Sequence, residues 1–136
     1  KLSFMLASAK AIMKYDDRKV RFSADGGAFE DVLVTTLSVG NGKYFGGGMK
    51  VCPDADVSDG IFDVTIWSGY GLADFALKQG SLYSGEHLKW PGTRLLKCKT
   101  FTAESAQEVL IDCDGEQPGK LPCTMKVLPS AIQLRV

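Results

Sequence analysis

The sequence predicts a mainly β domain: a two-sheet antiparallel β-sandwich with an N-terminal helix and one short internal helix. Three observations predict it. Apolar and polar residues alternate at a period of two in about seven short segments. Only two stretches carry helical spacing, and glycine, proline and aspartate clusters punctuate the intervals. Half-buried strands must hide their apolar faces against one another, and two packed sheets do this. A chain of 136 residues fits a single domain.

Taken in order, Leu2, Met5, Leu6, Ala9, Ile12 and Met13 recur at helical spacing, with Ser3, Lys10 and Lys14 on the other side. This predicts an amphipathic helix resting on a core, with a membrane-surface helix as the alternative. Ser3, Ser8 and Lys10 interrupt the apolar run too often for a signal peptide. No stretch approaches the roughly 20 apolar residues that span a bilayer. Val20 and Phe22 then alternate with Lys19, Arg21 and Ser23, and Asp25-Gly26-Gly27 predicts a hairpin turn. From Phe29 to Val39 a β-branched run is apolar on both faces and reads as a central strand. Phe62, Val64 and Ile66 alternate with Asp63 and Thr65 as a half-buried strand. Leu72, Phe75, Ala76 and Gln79 predict a short helix stopped by Gly80. Four strands follow, around Leu96-Cys98-Thr100, Val109-Ile111-Cys113, Cys123-Met125-Val127 and Ile132-Leu134-Val136, with Pro118-Gly119 and Pro129-Ser130 as turns.

Lys+Arg and Asp+Glu both number 16, so the charge attraction that drives nucleic-acid binding has no basis here. Cys52, Cys98, Cys113 and Cys123 lack CxxC spacing, and His87 is the single histidine, a poor set for structural zinc. Reduced core thiols are the preferred reading over two disulfides, which points to the cytoplasm.

Chemistry is expected where alternation fails, in Gly40–Gly60 and Asp112–Gly119. The stretch from Gly40 to Gly48 fits neither phosphate-loop pattern, so a turn at Asn41-Gly42, followed by glycines that let chain segments pass closely, is the plainer reading. Asp54-Ala55-Asp56-Val57-Ser58-Asp59-Gly60 resembles a calcium loop in composition only. Its third acid comes one residue late, and Thr65 stands where the closing glutamate would be. Either one carboxylate with main-chain carbonyls holds a metal there, or the acids cap their own turn. In Asp112-Cys113-Asp114-Gly115-Glu116, Ile111 and Cys113 should face the core, while Gly115 breaks the strand and presents Glu116. Such a glutamate can accept a proton from an attacking hydroxyl, though Asp-Gly-Glu also suits a plain hairpin.

Asn41-Gly42-Lys43-Tyr44-Phe45-Gly46-Gly47-Gly48-Met49, Cys52-Pro53-Asp54-Ala55 and Ser58-Asp59-Gly60 together resemble the signature of the diacylglycerol kinase-like lipid kinases, which include the sphingosine kinases. Asp114-Gly115-Glu116 and Val127-Leu128-Pro129-Ser130-Ala131 follow in that family's order. The resemblance implies that residues 1–136 are the C-terminal, substrate-side β-sandwich of a two-domain transferase. The nucleotide-binding half, with its Gly-Gly-Asp-Gly-type motif, is missing from this chain. It implies Glu116 as proton acceptor from a lipid hydroxyl attacking the γ-phosphate of ATP, with Asp114 in support. It also implies magnesium held by the Asp59 side chain and the carbonyls of Asp56 and Ile61. The implied partners are a lipid alcohol such as diacylglycerol, the chain's own nucleotide-binding domain and a membrane visited peripherally from the cytoplasm. Phe45, Trp67, Tyr70, Trp90 and the first helix are the apolar candidates for that visit. The implied role is in phospholipid synthesis, and a homodimer is left open. A non-catalytic module that binds a lipid or a protein is the alternative function. A relation to the nicotinamide nucleotide kinases, which share the two-domain plan, is a third reading. Sequence upstream of Lys1 would discriminate kinase from module.

Overall fold

A computed structural model describes residues 17–133, apart from the side chains at 72, 73, 75, 76 and 79. The helix predicted over Leu2–Met13 and the last predicted strand's Leu134 and Val136 lie outside the described residues. The chain runs β1 (Arg18–Ala24), β2 (Glu30–Val34), β3 (Thr36–Gly40), β4 (Phe62–Trp67), α1 (Leu72–Ser84), a 3-10 turn (Glu86–Lys89), β5 (Thr93–Cys98), β6 (Thr100–Glu104), β7 (Leu110–Cys113), β8 (Glu116–Lys120) and β9 (Cys123–Lys126). All pairings are antiparallel: a four-stranded sheet ordered β2-β1-β6-β9, a three-stranded sheet β3-β4-β5, and a two-stranded ribbon β7-β8.

The first two sheets enclose the main core. Val20, Phe22, Val34, Phe101 and Ala103 come from one, Val64, Ile66 and Cys98 from the other. Phe22 and Phe101 stack with ring centroids 5.5 Å apart, and burial of each such side chain contributes about 1.5–3 kcal/mol. The alternation predicted for β1 is thus observed, and with it the sandwich plan, while the strand predicted through Leu96-Cys98-Thr100 divides between β5 and β6. A second cluster, including Val51, Cys52, Trp67, Tyr70 and Leu82, covers the opposite face of the three-stranded sheet. Thr65 Oγ1 donates to the Val51 carbonyl there at 3.1 Å. His87 is fully buried beside it, with Nε2 3.1 Å from the Val51 carbonyl oxygen and Nδ1 3.3 Å from that of Ser81.

Several expectations are corrected. The run from Phe29 to Val39 is two strands in different sheets, because the chain turns a corner at Thr35. The Thr35 N–H donates to the Trp67 carbonyl at 2.8 Å, and its hydroxyl donates to Asp17 Oδ1 at 2.6 Å. The strand buried on both faces is β4, where Thr65 is as inaccessible as Val64 and Ile66. The internal helix does not stop at Gly80 but continues to Ser84. It ends where Gly85 takes φ +86° and returns its N–H to the Ser81 carbonyl at 2.9 Å. Pro118-Gly119 lies within β8 rather than at a turn, and this is tolerated because the ribbon has only two strands and an open edge. Residues 131–133 form no strand. The four cysteines are free, but only Cys52 and Cys98 are core thiols. Cys113 is exposed, at the end of β7 where the β7-β8 register slips between Ile111 and Cys113.

Candidate active site

Both segments singled out by broken alternation border one cavity of about 1100 Å³. Its apolar lining comes from both large sheets, with Val20, Phe101 and Met125 from one and Leu37 and Val39 from the other, and from Ile111 of the β7-β8 ribbon. Residues 40–46 form one part of its border, and residues 112–115 with 118–120 form another.

The glycine-rich loop is built locally. Gly40 passes so close to the next segment that a β-carbon there would lie 2.7 Å from Cys52 Sγ, so glycine is required by space. The turn predicted at Asn41-Gly42 instead falls at Gly46-Gly47-Gly48, whose φ angles are +50°, +74° and +94°. Phe45 and Met49 close it, each donating its N–H to the other's carbonyl at 3.0 Å.

Asp114 (φ +53°) and Gly115 (φ +89°) are the two central residues of a tight hairpin turn joining Cys113 to Glu116, the primed geometry that Asp-Gly favours. The Gly115 N–H donates to Asp112 Oδ1 at 3.1 Å, which pins the turn. Asp112, Asp114 and Gly115 line the cavity. Glu116 is not among the lining residues; it is the next residue along the chain, exposed at the start of β8. Asp112 and Lys120 were not given roles from the sequence. Asp112 was legible as the first residue of an Asp-x-x-Gly turn, whereas Lys120 reaches this border only through the pairing of Leu110 with Lys120.

Asp56, Asp59 and Ile61 lie together in a separate turn. Asp56 Oδ1 accepts from the Ser58 N–H at 2.9 Å and hydroxyl at 2.7 Å, bonds that hold its carboxyl below the usual range. Asp59 Oδ1 accepts the Ile61 N–H at 2.9 Å, and the Asp59 N–H donates to the Asp56 carbonyl at 3.3 Å. The acids therefore cap their own turn, as one of the two expectations had it. Among the described residues no three His, Cys, Asp or Glu side chains converge as metal ligands. A cation here would rest on one Asp59 carboxylate oxygen and main-chain carbonyls. These are hard oxygen donors of the kind magnesium takes, so the donor set fits. The ammonium of Lys97 is held above its ordinary value first by its bond to Asp63, 2.9 Å away, and then by Asp59 and Asp54, which marks the neighbourhood as acidic. No hydrogen bond or ion pair joins this turn to Asp114 or Glu116 among the described residues.

Of the apolar membrane candidates, Trp67 and Tyr70 are core residues at 4% and 8% exposure, and Trp90 is partly buried against them. Phe45 is 54% exposed. No helix among the described residues is long and apolar enough to cross a membrane.

The chain is similar to known proteins in sequence and in fold. The chain is 30% identical over 131 residues to a diacylglycerol kinase of Staphylococcus epidermidis, covering 96% of this chain and 39% of that one. It is 32% identical over 127 residues to a probable lipid kinase, YegS-like, of Yersinia enterocolitica, covering 91% and 40%. A diacylglycerol kinase structure from Bacillus anthracis str. Sterne superposes with TM-score 0.68 over 95% of this chain and 44% of that chain, at 24% identity, a likeness of fold. The chain thus spans well under half the length of these relatives. Residues 1–136 match the family model described as the YegS C-terminal NAD kinase beta sandwich-like domain, and the chain belongs to that family.

Proposed function

We propose that this domain is the substrate-side half of an ATP-dependent lipid kinase and works opposite a nucleotide-binding half in the full-length protein. The lipid alcohol's hydrocarbon part occupies the apolar cavity between the sheets, and its hydroxyl lies at the border formed by Asp112–Gly115. Glu116 accepts the hydroxyl proton as that oxygen bonds to the γ-phosphorus of ATP, while the bond from that phosphorus to the β–γ bridging oxygen breaks and ADP leaves. Phosphoryl transfer asks mainly for positioning and charge neutralisation. The Asp112-pinned turn supplies the first, since Glu116 projects from a short, hydrogen-bonded hairpin. Asp114 keeps the border anionic and orients the incoming hydroxyl. Asp59, with the Asp56 and Ile61 carbonyls, would hold magnesium, whose charge steadies the Asp54–Asp59 turn. Peripheral contact from the cytoplasm brings the protein to its lipid.

The observation that supports this reading most is that the glycine-rich loop and the Asp-Gly-Glu hairpin, far apart in sequence, border one apolar cavity. In full-length protein, Glu116→Gln is expected to lower kcat on diacylglycerol vesicles by about 10²–10⁴-fold with an unchanged melting temperature. Wild-type turnover by this variant removes Glu116 from the mechanism, and full-length protein that phosphorylates no lipid returns the domain to the class of binding modules.

A further inference from the structure

We propose that the loop from Lys43 to Lys50 is a membrane-docking finger that beds Tyr44 and Phe45 in the interfacial layer of an anionic bilayer. The inference deepens the lipid-kinase reading and rests on it for the reason a bilayer is visited. Tyr44 is 62% exposed and Phe45 54%, side by side at one end of a loop that most folds would bury or make polar.

The loop is fixed rather than slack. Its tip is closed by the paired Phe45–Met49 bonds, and its base by Cys52 N–H to the Lys43 carbonyl at 3.3 Å and Lys50 N–H to the Leu82 carbonyl at 2.7 Å. Gly47 and Gly48 have nothing within 4 Å of a would-be β-carbon, so the tip projects. A rigid aromatic pair loses little conformational freedom on insertion.

Charge points to an anionic partner. From Asn41 to Val51 the loop carries Lys43 and Lys50 and no acid, and neither lysine forms an ion pair among the described residues. Lys43 sits near enough to Asp56 to help lower its carboxyl, so Lys50 is the less compensated of the two. Aromatic side chains bracketed by lysines match the chemistry of an interfacial anchor. Because residues 40–46 also border the apolar cavity, a finger seated in the bilayer sets that cavity against the pool of lipid.

The test uses full-length protein without ATP, in flotation with phosphatidylcholine vesicles with or without phosphatidylserine. Wild type should float with the anionic vesicles and lose most of that binding in high salt. The Tyr44→Ser/Phe45→Ser double variant should bind about tenfold or more weakly, and Lys50→Gln about fivefold more weakly, with melting temperatures unchanged. A Phe45→Trp variant should gain quenching by bromolipids beyond that of wild type. Wild type that fails to float, a double variant that floats as well as wild type, or a Phe45→Trp variant without added quenching would each overturn the proposal. The last is expected if another part of the full-length protein covers the loop. Binding is read without turnover, so full-length protein that floats but phosphorylates no diacylglycerol would sink the kinase reading alone.

Discussion

Replacing Gly40 by alanine inserts a methyl group into a space that the packed side chain of Cys52 already fills. The new β-carbon would stand 2.7 Å from Cys52 Sγ, 3.1 Å from its Cβ and 3.0 Å from the Gly42 carbonyl oxygen. Cys52 cannot swing away, being 3% exposed with its thiol directed at the Asp63 carbonyl, 3.3 Å distant. Overpacking of this kind costs about 1–3 kcal/mol. For 136 residues the unfolding entropy is about 0.29 kcal/mol/K, so the melting temperature should fall by about 4–10 °C. Cys52→Ala alone should cost about 1 kcal/mol for the lost packing. In the double variant the clash with sulfur disappears, and the approaches to the residue 52 β-carbon at 3.1 Å and to the Gly42 oxygen at 3.0 Å remain. The two losses should then fall short of additivity by at least about 1 kcal/mol. Urea denaturation of the four proteins measures this. Losses that add within about 0.5 kcal/mol would show that Gly40 and Cys52 do not compete for the same space, and the account of why glycine opens this loop would fail.

Four further outcomes follow from the same geometry. Gly80→Ala, at an exposed helix-interior position with nothing within 4 Å, should stabilise by about 0.5–1 kcal/mol, whereas Gly85→Ala, at φ +86° and 3.0 Å from Pro53 Cγ, should destabilise by more than that; thermal melts that reverse this order would misplace the end of α1. Burial pushes the Cys98 thiol from its ordinary 9.0 up to about 11, so the unfolded chain releases this proton first as pH rises. Stability should therefore decline between those two values, and less steeply in Cys98→Ala; under native conditions a thiol reagent should modify exposed Cys113 ahead of Cys52 and Cys98. In full-length protein, magnesium should raise the melting temperature of wild type but not of Asp59→Ala, and equal responses of the two would dismiss Asp59 as a ligand.

What the sequence made legible was local. Val20 and Phe22 alternate because β1 has one wet face, and the Asp-Gly pairs mark turns because they tolerate positive φ. What it hid depends on distant partners. Nothing in residues 29–39 announces a corner at Thr35, since Asp17 and the Trp67 carbonyl create it. Thr65 reads as a polar, outward residue until Val51 supplies an acceptor over it. Gly80 looks like a stop because its local cost, about 1 kcal/mol against alanine, is visible, whereas the packing of Leu82 farther along is not. The site divides the same way. The Asp-Gly-Glu hairpin could be read from its turn chemistry, but its presence with Gly40–Gly46 at one cavity depends on tertiary packing, since the β7-β8 ribbon pairs with neither large sheet.

The chain passes between the two large sheets at single residues, Thr35 from β2 to β3 and Lys99 from β5 to β6. Each crossing is braced by an aspartate: Asp17 at the Thr35 hydroxyl, and Asp25, whose Oδ1 accepts the N–H groups of Lys99 and Thr100 at 2.8 Å. The gap between the layers is therefore held at its edges by covalent spines with carboxylate struts as well as by the packed core. A guest of hydrocarbon shape meets walls whose separation is already decided, and its arrival or departure need not rewire a single rung of either sheet.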